Sequence, residues 1–307
     1  MTTTMKTLRF GIEIETVGLS HGELARAIHS AVGGSLSFGG TSVTDPSGRV
    51  WRVEYDGSLS GSRNGEIVSP ILTYDDLDLL QAAVRAVAQA GARADYSTGI
   101  HIHVDGSQFD VRNLLNLVNF VHKQERLLEH VLQITSRRLG QYCKPIDPEF
   151  MARLALRKPT TMEALNRAWY GYRNTSPERR DGSRYHGLNL NSLFYRKTIE
   201  FRYFNGSVDA DEVKAYVQLV LALAANALST KAASSKRREF NPATAKYDFR
   251  VVLLRLGLIG DEFKTARRCL TKRLAGSAAW KRGRRDRTAP TASIPSNDDT
   301  DAAPAAA

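Results

Sequence analysis

The segment Phe10-Gly11-Ile12-Glu13-Ile14-Glu15 alternates apolar and charged residues, and the same alternation returns at Ile100–Val104 and Ile199–Tyr203. Residues two apart in a strand point to one face, so each segment predicts a strand with one apolar and one polar face. Parallel strands covered on both sides would read as near-continuous apolar runs. These strands are therefore expected in an antiparallel sheet, with helices on the apolar face and a cleft on the other. Helical spacing over His21–Val32, with Ser20 as N-cap, and over Tyr74–Ala90, Val111–Thr135 and Val208–Ser229 supplies the covering helices. Two short helices are expected between 147 and 170, and further helix up to about Ala275. The fold class is α+β, a curved and mainly antiparallel sheet with helices on one face.

The remaining strands are expected at Val50–Tyr55, Gly65–Ser69 and Gly187–Asn191. Gly33–Gly48 and Gly171–Arg184 read as loops, rich in Gly and Ser and in Arg, Asp and Gly respectively. Residues 1–275 form the expected catalytic domain. Residues 276–307 turn basic and then Ala/Pro-rich, which reads as a disordered tail.

No apolar run approaches the roughly 18 residues that a membrane-spanning helix needs. Met1–Lys6 is polar and lacks a signal core, and the two cysteines, Cys143 and Cys269, are far apart. A cytoplasmic protein with two reduced thiols is expected. The net charge of +11 is concentrated late in the chain: Lys264 to Arg287 holds ten Lys or Arg against the single acid Asp286. Such a segment can bind polyanions, and it can equally be a solvated helix face and tail.

The polar strand faces carry the candidate chemistry. Glu13 and Glu15 share a face, and two neighbouring carboxylates repel unless a cation neutralises them. Alone, the pair also fits a solvent-exposed strand. His101 and His103 share a face, as do Glu200 and Arg202, and Glu66 lies on the Gly65–Ser69 strand. A His-x-His pair suits zinc or a structural role, but no third histidine or cysteine stands at a zinc spacing. The predominance of glutamate favours magnesium. Arg202 can hold a carboxylate or phosphate by paired hydrogen bonds, or simply pair with Glu200. Arg173, Arg179, Arg180 and Arg184 cluster in or beside the preceding loop, which suits a polyphosphate and also suits ordinary solvation.

Four segments together resemble a known family: Phe10–Glu15; Asp56-Gly57-Ser58-Leu59 with Gly65–Pro70; Ser97–Val104; and Arg184–Leu190 with Thr198–Arg202. The chain resembles the amidoligase branch of the glutamine synthetase and glutamate–cysteine ligase superfamily of carboxylate–amine ligases. The resemblance implies a glutamine synthetase-like catalytic sheet that binds ATP and magnesium. It implies that Glu13, Glu15, Glu66 and Glu200 bind metal, and that His101 lies near the metal and the ATP phosphates. It makes Arg202 a catalytic and substrate-binding residue and Arg184 a nucleotide contact, with Asp56 and Ser58 at the substrate. A substrate carboxylate, of an amino acid or peptide, would become an acyl phosphate that an amine then displaces. No counterpart of the residue that deprotonates the amine is found. Other readings are a non-catalytic relative, a nucleic-acid-associated protein acting through the basic tail, and a zinc hydrolase using His101 and His103.

Overall fold

In the computed structural model, which describes residues 2–281, period-two alternation becomes one eight-stranded sheet. The strands are β1 (Phe10–Val17), β2 (Ser35–Leu36), β3 (Ser42–Thr44), β4 (Val50–Glu54), β5 (Asn64–Val68), β6 (Gly99–Asp105), β7 (Leu188–Asn189) and β8 (Thr198–Asn205). Their order is β2-β3-β4-β5-β1-β6-β8-β7, and every neighbouring pair is antiparallel. The α+β architecture with an antiparallel sheet is as the alternation predicts.

The helices are α1 (Thr2–Thr7), α2 (His21–Val32), α3 (Leu77–Gln89), α4 (Val111–Val131), α5 (Ser136–Gln141), α6 (Pro148–Arg157), α7 (Met162–Tyr170), α8 (Asn191–Arg196), α9 (Ala210–Ser229), α10 (Ala245–Arg255) and α11 (Lys264–Thr271). Ser20 caps α2 as expected: its backbone N–H donates to Glu23 Oε2 at 2.8 Å, and its hydroxyl accepts from the Glu23 N–H. Helix α9 is buried on nearly every side and packs against β6, α3, α4 and α11. A helix apolar all round requires such a setting. Phe204 of β8 stacks on Tyr216 of α9, with ring centroids 4.4 Å apart. Helix α2 packs on β4 and β5, where Leu24 lies over Gly65. The apolar face made by Ile12, Ile14, Ile100, Ile102, Ile199 and Phe201 is buried almost completely.

The structure departs from the sequence reading in three places. The expected loop 33–48 contains β2 and β3, which extend the sheet beyond β4. The expected strand Gly187–Asn191 shrinks to two residues, because Asn189 Oδ1 accepts from the Asn191 N–H at 2.8 Å and turns the chain into α8. Helices are also not confined to the apolar face: residues of α5 and α8 wall the polar one. Of the expected tail, residues 282–307 lie outside the described residues. Much of the basic charge just before it is compensated: Arg268 pairs with Asp211, Lys272 with Asp209 and Glu212, and Arg273 with Glu212. These pairs clamp α11 to the acidic start of α9. Among the described residues no helix is long and apolar enough to cross a membrane, and Cys143 and Cys269 are both free and buried.

Candidate functional site

Antiparallel register brings the polar faces of β5, β1, β6 and β8 into ordered rows. Glu15 faces Glu66 across one ladder, and Glu66 faces Glu54 across the next. Glu13 faces His101, while His103 faces Glu200, which in turn faces Asn189. A register shift between Ile100 and Ile102 sets Arg202 and Tyr203 together opposite His101. Such a bulge re-aims side chains without ending the ladder.

Nine residues singled out from the sequence, Glu13, Glu15, Glu66 and Glu200 with Asp56, Ser58, His101, Arg184 and Arg202, border a single pocket on this face, while His103, paired with His101 in the sequence, is not among its lining residues. His101 Nδ1 is 3.2 Å from Glu13 Oε2, and its Nε2 is 3.8 Å from Glu15 Oε1. His103 Nε2 lies 3.3 Å from Glu13 Oε1 and 3.8 Å from Glu200 Oε1. Three groups of potential ligand atoms converge to within 4.8 Å: Glu13–Glu66–His101, Glu13–His103–Glu200, and Glu15–Asp56–Glu66. Glu13 and Glu66 each belong to two groups, so the positions adjoin. Each group contains two or three carboxylates and at most one histidine, a donor set that suits a hard cation better than zinc.

Burial and crowding of charge shift the titration of these side chains. Burial, reinforced by the charges of Glu13 and Glu15, pushes the Glu66 carboxyl up to about 9. Burial likewise raises Glu15 to about 7, against the pull of Arg138. Taking an ion out of water costs several kcal/mol, and here the carboxyl retains its proton instead. Burial and then the Arg202 charge bring His101 down to about 4, so its imidazole is neutral at pH 7. Glu200 differs: burial opposes its ionisation, but Arg202, then His103 and His101, hold it well below the usual carboxylate range. The Arg202 guanidinium pairs with Glu200 and donates to the Tyr142 carbonyl at 3.2 Å, while Asn189 Nδ2 donates to Glu200 Oε2 at 2.6 Å.

Arginines border the same pocket. Arg184 donates to the Arg179 carbonyl at 3.2 Å, its guanidinium rests over Tyr185, and both arginines border the pocket. Arg173 and Arg180, grouped with them in the sequence, do not border it; Arg173 pairs with Glu163. Sequence reasoning missed Arg138 and Arg196. Arg138, from α5, is buried beside Glu15 and donates to the Arg202 carbonyl at 2.9 Å. Arg196, at the end of α8, donates to Glu13 Oε1 at 3.2 Å. Both sit on six-residue helices whose apolar pattern is too short to read. Asp56 borders the acidic end and accepts from the Ser58 N–H at 2.8 Å, with Ser58 exposed. The loop 33–48 contributes nothing to the lining, while the loop 171–184 contributes Arg179 and Arg184.

Buried carboxylates and imidazoles on one face of an antiparallel sheet, with arginines bordering the same pocket, are donor and charge sets of the kind that can take hard cations and anionic ligands. The family described as "Putative amidoligase enzyme" matches residues 6–224. The chain belongs to this amidoligase family, and the matched region contains every residue of the site just described. No curated protein matches it in sequence. Among solved structures, the crystal structure of a bifunctional glutathione synthetase from Pasteurella multocida is similar at 14% identity and a TM-score of 0.36. The match covers 88% of this chain and 47% of that one, so this chain spans about half the length of that neighbour.

Proposed function

We propose that this protein is an ATP-dependent ligase that joins a carboxylate of an amino acid or peptide to an amine through an acyl phosphate, on a sheet of the glutamine synthetase-like type. The observation that carries the reading is the three adjoining ligand groups on one sheet face, with Arg202 on that same face and Arg179 and Arg184 bordering the same pocket.

The residues fit divalent cations on their own chemistry. His101 Nε2 is buried without a hydrogen-bond partner and faces Glu15, and Glu66 retains a proton for want of a positive neighbour. Glu13, Glu15, Glu66 and Glu200 would hold magnesium, with His101 beside it. Bound there, magnesium would neutralise the terminal phosphates of ATP and align them for attack.

The chain's own residues then have distinct tasks. Arg202, fixed by Glu200 and the Tyr142 carbonyl, presents a pre-oriented guanidinium to an anionic oxygen. Arg184, at the border of the pocket, contacts nucleotide phosphates. Asp56 and Ser58, at the acidic end, border the substrate. A substrate carboxylate oxygen attacks the γ-phosphorus, ADP leaves, and the acyl phosphate forms. The amine then attacks the acyl carbon, and phosphate departs carrying one former carboxylate oxygen. Exclusion of water by the 171–184 loop would protect that intermediate.

The test uses carboxylate labelled with heavy oxygen, in a screen of amino acids and peptides with amines, ATP and magnesium. One label is expected in inorganic phosphate, with ADP as co-product. Label in AMP, with pyrophosphate accumulating, would exclude the acyl phosphate.

A further inference from the structure

Five arginines border the pocket, Arg138, Arg179, Arg184, Arg196 and Arg202, and they are held with different freedom. Arg202 and Arg138 are buried and fixed to backbone carbonyls, and Arg184 is anchored on the Arg179 carbonyl. Arg196 is different. It is the last residue of α8, Lys197 after it adopts a left-handed conformation, and its side chain is 36% exposed. Its one bond to its own helix is a long contact from Nε to Ser192 Oγ at 3.4 Å.

The guanidinium of Arg196 lies on ligand atoms. Its Nη2 is 3.2 Å from Glu13 Oε1 and lies against the His103 ring, 2.8 Å from Nε2 and 3.0 Å from Nδ1. Glu13 and His103 both belong to the Glu13–His103–Glu200 group, whose third member stands 3.8 Å from His103 Nε2. A divalent cation held by that group would bind Glu13 and His103 at about 2.1 Å, close against the guanidinium. Two positive charges at that separation repel strongly in a water-poor site. Cation and guanidinium therefore exclude one another.

We propose that Arg196 is a displaceable counter-ion, neutralising the Glu13–His103–Glu200 group when no cation is bound and turning toward an anionic ligand when a divalent cation takes its place. The inference rests on the cation-binding reading of the site given above. It adds a binding order. Arg196 opposes entry of a cation at this position, and a polyphosphate that captures the freed guanidinium relieves the opposition. Cation and polyphosphate thus bind this position cooperatively, and by linkage each favours the other equally. The Glu15–Asp56–Glu66 group contains no residue that Arg196 touches and carries no such barrier, whereas the Glu13–Glu66–His101 group shares Glu13 with it.

The test is titration with Mn2+ alone, followed by electron paramagnetic resonance and calorimetry on the full chain, for wild type, Arg196→Ala, Arg196→Gln and Arg196→Lys. The Ala and Gln variants are expected to bind Mn2+ at the weakest site about tenfold more tightly than wild type. Arg196→Lys retains the charge and is expected to stay near wild type. Adenylyl imidodiphosphate is expected to tighten Mn2+ binding in wild type and to do so much less in Arg196→Ala. A melting scan in chelator, followed by addition of Mn2+, checks folding; the partial exposure of Arg196 leaves the core out of these substitutions. Wild type that binds Mn2+ with the Ala and Gln variants equal to it or weaker overturns the role of Arg196 and leaves the ligase reading standing. Absence of Mn2+ binding in all four proteins overturns the cation site itself, and this inference with it.

Discussion

Glu66 stands directly opposite Glu15 across the β5–β1 ladder, with both side chains buried. Like charges placed so are destabilising in a sheet, and burial removes the water that would screen them. In the cation-free protein the conflict is relieved by protonation, with Glu66 raised to about 9 and Glu15 to about 7. Folded-state values above the ordinary 4.5 mean stability that is fully present below that value and lost as pH rises through about 7 and about 9. Glu125, raised to about 7 by its own burial, adds to the alkaline loss. His101, lowered by burial to about 4, acts on the other side: stability falls as pH drops from 6.5 toward that value. Between pH 4.5 and 6.5 the three raised carboxyls outweigh the one lowered imidazole, so in chelator the melting temperature should be highest at about pH 5 and decline toward pH 9. Magnesium should raise it more at pH 9 than at pH 6. A flat profile between those values in chelator would contradict the buried carboxylate pair.

Cation binding must expel the proton that Glu66 holds. Calorimetric titration with Mn2+ at pH 8, in buffers of different ionisation enthalpy, should show proton release to the buffer. Glu66→Gln removes the need for that proton and one ligand oxygen. It should weaken Mn2+ binding by about 10–100-fold, abolish the buffer dependence, and raise the melting temperature in chelator at pH 9. Glu200→Ala should also weaken binding, but it leaves Arg202 buried without its partner and should lower the melting temperature. Equal Mn2+ affinity in both variants and wild type would remove these residues from the cation site.

The alternation of β1, β6 and β8 was enough to place Glu13 with Glu15, His101 with His103, and Glu200 with Arg202, because period two is a local property of the chain. Which carboxylate faces which was not legible. Glu15 meets Glu66 only because of a register set by the connection between β4 and β5 and by the neighbouring strands. Arg138 and Arg196 escaped for a different reason: a single helical turn such as Ser136–Gln141 or Asn191–Arg196 has no amphipathic period to detect. The two- and three-residue strands β2 and β3 were hidden by a Gly/Ser-rich composition that reads as loop. The basic late segment read as a candidate polyanion surface, because its partners Asp209, Asp211 and Glu212 lie more than fifty residues upstream.

Those ion pairs separate the end of the chain into two parts with different expected behaviour. Every residue bordering the pocket among the described residues lies at or before Arg202, and a chain ending at Lys281 should retain its melting temperature and its ADP formation. Helix α11 is another matter. It buries Ala266, Cys269 and Leu270, while Arg273 Nη2 lies 2.9 Å from Glu212 Oε1, a carboxylate that is itself buried. Arg273→Ala should cost about 1–3 kcal/mol in a denaturant titration, since the buried Glu212 would lose its nearest cation and keep its bond from Ser207, its contact with Tyr216 and a more distant Lys272. Loss of less than a few tenths would show that the clamp contributes nothing measurable.

Gly99 offers the sharpest separation of the cation half of the site from the anion half. Its N–H donates to Glu15 Oε2 at 2.6 Å, so the backbone here orients a proposed metal ligand. A Cβ at the same residue would meet the Arg138 guanidinium at 2.0 Å. Gly99→Ala therefore keeps the bond to Glu15 and evicts the end of a buried arginine. The obstructing atoms belong to a flexible side chain, but one whose Nη2 holds the Arg202 carbonyl at 2.9 Å. The arginine must shift and release that bond, at a cost of roughly 1–3 kcal/mol, typical of overpacking. Mn2+ affinity should change little, because no ligand atom is lost. Binding of adenylyl imidodiphosphate or of the substrate carboxylate should fall at least tenfold, because both Arg138 and the backbone that carries Arg202 are disturbed. Arg138→Met, which removes the charge without adding volume to the strand, should reproduce the loss of anion binding with Mn2+ binding intact. Parallel calorimetric titrations of cation and anion on the two variants decide the matter: loss of Mn2+ binding in step with anion binding would show that Arg138 supports the fold of the whole pocket and not its anionic half.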